Sequence, residues 1–121
     1  MEIKIIDKNF SICKIQDLSQ VNFHDEFCFL SKTDEEISLV CITESIPQSV
    51  TEIEKGWKAF RIQGTLDFSL VGILSRISAI LAEHNISIFA VSTYNTDYIF
   101  VKEIYFLNAI TELKEHGYII S

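Results

Sequence analysis

Asp67 and Asp97 each stand in a short connecting run, TLDFSLVG and STYNTD. Two carboxylates brought together balance an ammonium or a cationic side chain, while Thr93 adds a hydroxyl and Tyr94 an apolar face. Gly72 has no Cβ. If a helix starts there, the amides of Leu70, Val71 and Gly72 are open to a carboxylate at the positive end of the helix dipole. Together these residues describe a receptor for a zwitterion. Each also has a plain structural use: Asp67 as a helix cap, Asp97 as a hairpin-turn residue, Gly72 as a point of close helix-on-sheet packing.

Catalytic alternatives are thin. The sequence holds no G-x-S-x-G, no H-E-x-x-H and no glycine-rich phosphate loop, and His24, His84 and His116 lie far apart without ligand spacing. His84 and His116 each close an expected helix, where an imidazolium complements the dipole. Cys13, Cys28 and Cys41 sit among apolar neighbours without a C-x-x-C pair, which predicts reduced packing cysteines rather than a metal or disulfide site. Arg61-Ile62-Gln63-Gly64 faintly suggests an acylphosphatase-like hydrolase. That chemistry needs an arginine in the loop after the first strand, and residues 65–72 contain none. No metal and no cofactor are expected.

The elements that must position these residues follow from period and punctuation. Residues 43–56, TESIPQSVTEIEKG, hold the only proline and divide the chain into 1–56 and 57–121. Beyond them WKAFRIQG reads as a strand ending at Gly64. SLVGILSRISAILAEH reads as a helix through Leu70, Ile73, Leu74, Ile77, Ile80 and Leu81, with Asn85 able to end it. ISIFAVST is a strand apolar on both faces, which predicts a central position. YNTD is a turn and YIFVK the returning strand. Glu103 to His116 reads as a second helix through Ile104, Leu107, Ile110 and Leu113, capped by Gly117, and YIIS as a short last strand. The order is βαββαβ, an α+β, ferredoxin-like plan with two helices on one face of an antiparallel sheet. In that topology the loop into the first helix lies beside the far end of the second strand, so TLDFSLVG faces STYNTD across one crevice.

The first half reads as an abbreviated copy. FCFLSKTDEEISLV aligns with IFAVSTYNTDYIFV at an offset near 61, pairing Glu36 with Asp97, and Ile12–Gln16 aligns with Ala59–Gln63 at offset 47. The difference corresponds to a first copy that lacks most of its first helix. Composition sets the remaining bounds. A chain of 121 residues with nine Phe, four Tyr and one Trp can bury a real core, and four Gly with one Pro leave little room for disorder. A net charge of −7 argues against nucleic acid and against an anionic membrane surface. No apolar run approaches the ~20 residues that span a bilayer. MEIKIIDK lacks the apolar core of a secretion signal, and a cytoplasmic location is expected.

Residues 66–101, LDFSLVGILSRISAILAEHNISIFAVSTYNTDYIFV, resemble the ACT domain, in particular the small tandem-ACT proteins related to the ACT modules of cytosolic arginine sensors. The likeness lies in D-x-x-x-x-G-[IV]-[LV] at the helix start and I-S-[IV]-F-A-[IV]-S-T-[YF]-x-T-D-Y-[IV]-[LF]-V in the hairpin. It extends more weakly over almost the whole chain, including DEEISLVC and KGWKAFRIQG. The resemblance implies tandem ACT-like modules and regulation rather than catalysis, with an amino acid or other small ligand bound. By position, Asp67 and the Leu70-Val71-Gly72 backbone would hold the head group. Thr93, Tyr94 and Asp97 would line the pocket, with Asp97 facing a cationic substituent. The general D-x-x-G pattern is altered here, with four residues between Asp67 and Gly72. Apolar strands such as ISIFAV invite side-by-side sheet pairing, so a homodimer is expected. The rival expectation is a ligand-free interaction module that mates only with itself or with a partner enzyme.

Overall fold

The computed structural model describes residues 1–63 and 72–121. Its elements are β1 (Glu2–Ile15), β2 (Cys28–Lys32), β3 (Ile37–Ile42), β4 (Val50–Ile62), α1 (Ile73–Glu83), β5 (Phe89–Ser92), β6 (Asp97–Lys102), α2 (Glu103–Glu115) and β7 (Ile119–Ile120). Single 3₁₀ turns, Leu18–Gln20 and Thr43–Ser45, follow β1 and β3. The chain forms two compact units, Lys8–Trp57 and Met1–Asp7 with Lys58–Ser121. Residues 1–7 thus group with the later half of the sequence.

In the larger unit the strands run in the order β7, β1, β4, β6, β5. A plain βαββαβ sheet sets its last strand against its first. Here the opening residues of β1 take that place: the Gln63 amide donates to the Glu2 carbonyl at 2.9 Å, and β7 pairs with β1 in parallel, Ile3 against Ile120. The reason is length, since β7 has only two residues and leaves most of the β4 edge to be covered. Ile3 and Ile6 bury their side chains in return.

Helix α1 forms because Ile73, Ile77 and Leu81 recur at one-turn spacing and all three are buried, with Leu74 and Ile80 packed beside them. It starts at Ile73, after Gly72 in a left-handed conformation with φ 77°, later in the chain than the SLVG reading places it. The glycine is there for that backbone angle. Among the described residues a Cβ at Gly72 would meet nothing closer than Arg76 Nη1 at 3.7 Å, so close packing on the described strands does not explain it. Both helices end alike. Asn85, at φ 59°, follows α1, and the Ile86 amide reaches back to Leu81 O at 3.0 Å. Gly117, at φ 94°, follows α2, and the Tyr118 amide reaches Leu113 O at 3.1 Å. Left-handed residues at these positions satisfy the last helical carbonyls.

Two expectations are corrected. β5 lies at the edge of the strand order, not the centre. Its residues alternate between half-buried and exposed, with Phe89 and Val91 inward, the pattern of a strand covered on one face. Helix α2 turns Phe106, Ala109, Ile110 and Leu113 toward the core, whereas Ile104 and Leu107, expected inside, are 82% and 80% exposed.

In the smaller unit the order is β2, β3, β1, β4, around a core of Cys13, Ile15, Val21, Leu39 and Cys41. Its hairpin repeats the construction of the β5–β6 hairpin. Lys32 pairs with Ile37 as Ser92 pairs with Asp97. The Thr33 amide donates to Glu36 O at 2.9 Å as the Thr93 amide does to Thr96 O at 2.8 Å. The structural equivalence therefore runs at an offset of 60, one residue from the alignment of side-chain types. Glu36 answers to Thr96, and Ile37 to Asp97.

Candidate functional site

The turn between β5 and β6 is built by its two threonines. Thr93 donates to the Thr96 carbonyl through its amide at 2.8 Å and through its hydroxyl at 2.9 Å. The same hydroxyl accepts from the Thr96 amide at 3.3 Å. Much of the capacity that the sequence assigns to a ligand at Thr93 is thus spent inside the turn. Thr96, for which the sequence predicts only a place in the turn, is buried, and its hydroxyl donates to the Ile62 carbonyl at 2.7 Å. That bond fixes the turn to the last residue of β4.

Asp97 opens β6, and its carboxylate accepts from the Ser92 hydroxyl across the hairpin. Tyr94 stands at the tip of the turn and is exposed. Thr93, Tyr94 and Asp97 are therefore brought together. Gly72 opens α1, and its carbonyl accepts the first helical hydrogen bond, from the Arg76 amide at 2.9 Å. Asp67, Leu70 and Val71 lie outside the described residues. Arg61 lies on β4, where its guanidinium donates to Gln63 Oε1 at 3.2 Å and to the Tyr98 hydroxyl at 3.1 Å. It is occupied on the sheet, and no phosphate-cradling loop carries it.

His84 and His116 follow the last residues of α1 and α2, as expected. His84 Nε2 meets Glu112 Oε2 at 2.8 Å, tying the two helices together. All three cysteines are free. Cys13 and Cys41 share a hydrogen bond that draws the Cys13 thiol down and pushes the Cys41 thiol up, while burial pushes Cys28 up. Among the described residues no cluster of His, Cys, Asp or Glu has the arrangement of a metal site. No helix among them is long and apolar enough to cross a membrane.

Strands, helices and a turn in this arrangement define a small α+β module, and the family is shown by sequence as well. Residues 52–115 match the ACT domain, and the chain belongs to the ACT domain family. A crystal structure of a protein from Agobacterium tumefaciens is similar over 99% of this chain and 91% of that one, at 27% identity and a TM-score of 0.87. A Vibrio cholerae protein described as of unknown function and possibly a transport protein shares the fold at 19% identity and a TM-score of 0.73, over 93% of this chain and 86% of that one. Aspartokinase alpha and beta subunits share it at 15% identity and a TM-score of 0.65, over 95% and 96% of the two chains. No curated protein matches the sequence.

Proposed function

We propose that this chain is a non-catalytic, cytoplasmic regulatory protein that binds an amino acid and works as a homodimer of tandem ACT modules. The first module, residues 1–56, is abbreviated, and the second, 57–121, is complete with the help of the opening residues of β1. The equivalence of the two hairpins supports the tandem reading, as do the 3₁₀ turns Leu18–Gln20 and Thr43–Ser45, which fall in chain order where the larger unit has α1 and α2. The dimer reading is supported by β5, an edge strand carrying Phe89 and Val91.

The observation that carries the ligand reading is the Thr96–Ile62 hydrogen bond. It sets Thr93, Tyr94 and Asp97 beside the end of β4, the strand that precedes Asp67 and Gly72 in the sequence. In this reading Asp67 and the Leu70-Val71-Gly72 backbone hold the head group. Asp97 supplies the negative charge that meets the ammonium or a cationic substituent. Asp97→Asn removes that charge and keeps an oxygen for Ser92. It is expected to weaken amino-acid affinity by about 1–3 kcal/mol, the scale of a lost charge-assisted hydrogen bond, in calorimetric titration. Undiminished affinity would refute the role of Asp97.

One observation favours the rival reading, a ligand-free interaction module: Ile104 and Leu107 lie one turn apart on the outer face of α2 with their side chains exposed. A concentration-dependent dimer that no amino acid stabilises would support it.

A further inference from the structure

We infer that the ligand is an amino acid with a second acidic group, of the aspartate or glutamate type, and that Arg76 binds that group. The inference rests on the amino-acid reading above and adds the class of ligand. Arg76 lies in the first turn of α1. Its guanidinium folds back toward the residue that opens the helix, with Nη1 3.7 Å from where a Cβ on Gly72 would stand. It lines a cavity of about 260 Å³ together with Met1, Ile73, His116, Gly117 and Tyr118. That volume lies below the ~300–1,000 Å³ of sites for drug-sized ligands and suits a small metabolite.

Among the described residues the cavity lining includes Arg76 and no carboxylate, in a protein whose net charge is −7. None of the ion pairs Lys14 with Glu52, Lys58 with Asp7 and His84 with Glu112 includes Arg76. A guanidinium in the first turn of a helix also faces the positive end of the dipole, an unfavourable place for a cation until an anion joins it. His116 is held beside it, its Nδ1–H donating to the Glu112 carbonyl at 2.8 Å, which leaves Nε2 as the remaining polar atom of the ring. A planar guanidinium matches a carboxylate through two parallel hydrogen bonds. A neutral side chain would leave that fork unpaired, and a cationic one would be repelled.

The test is calorimetric titration of the full chain with L-aspartate, L-glutamate, L-leucine and L-arginine, repeated on Arg76→Gln. Arg76 is exposed, so the variant is expected to melt as the parent does. The expected result is binding of aspartate or glutamate in preference to the other two, weakened tenfold or more by the substitution. Preference for leucine or arginine, or acidic amino-acid binding that Arg76→Gln leaves unchanged, would overturn the assignment of Arg76 while sparing the amino-acid reading. Absence of binding by all four and by the other amino acids would overturn both.

Discussion

Thr96 shows how much of the β5–β6 turn depends on one buried hydroxyl. Its hydroxyl satisfies the Ile62 carbonyl in a buried setting, and the turn that carries Thr93 and Asp97 hangs from that bond. Thr96→Val keeps the shape and removes the donor. A buried carbonyl left unpaired costs about 1–3 kcal/mol, so the variant should lose that much stability in denaturant unfolding, whereas Thr96→Ser should retain most of it. Equal stability of the valine variant would show that water replaces the bond. The YNTD sequence announces a turn but not its anchor, because residue types reveal local geometry and the Ile62 partner is 34 positions away. The same limit explains the one-residue slip between the hairpins. Matching Glu36 to Asp97 follows charge, while the ladder follows backbone hydrogen bonds and sets Ile37 opposite Lys32 as Asp97 is set opposite Ser92.

Existence and type of the helices are readable from period and caps, and their phase less so. α1 carries a strong apolar stripe, and Ile73, Ile77 and Leu81 are buried as the spacing predicts. α2 offers two overlapping stripes that share Ile110 and Leu113. The more apolar one adds Ile104 and Leu107, and these two are turned outward. The helix leaves β6 without a connecting loop, Glu103 following Lys102 directly, so the strand's direction sets which face meets the sheet. Ala109, small and buried, marks that face better than any larger side chain. Leu113→Ala should therefore cost about 2–5 kcal/mol, the range for a buried leucine. Leu107→Ala should stay within about 0.5 kcal/mol, as surface changes do. Thermal or denaturant unfolding of the two variants side by side separates the phases, and the reverse ranking would restore the stripe through Ile104.

For the chain as a whole, the feature least legible in the sequence is the use of its first seven residues. MEIKIID falls within the first half, 1–56, yet Ile3 packs in the core that contains Phe60, Ile77 and Leu113. Nothing local signals this, because the partners are neighbours only in space: Ile3 meets Ile120, at the opposite end of the chain. Removing residues 1–7 withdraws two buried isoleucines, each contributing about 1.5–3 kcal/mol, from a fold whose whole stability is on the order of 5–15 kcal/mol. The shortened chain should lose helical circular dichroism at a markedly lower temperature than the full one; an unchanged transition would show that residues 58–121 stand alone. The central claim, that this ACT family member binds an amino acid, is tested most directly by the melting temperature of the full chain against each of the twenty amino acids. The account predicts that at least one raises it, by the equivalent of ~2.7 kcal/mol at a hundredfold excess over Kd, with the acidic pair foremost. Twenty unshifted transitions at millimolar ligand would contradict it.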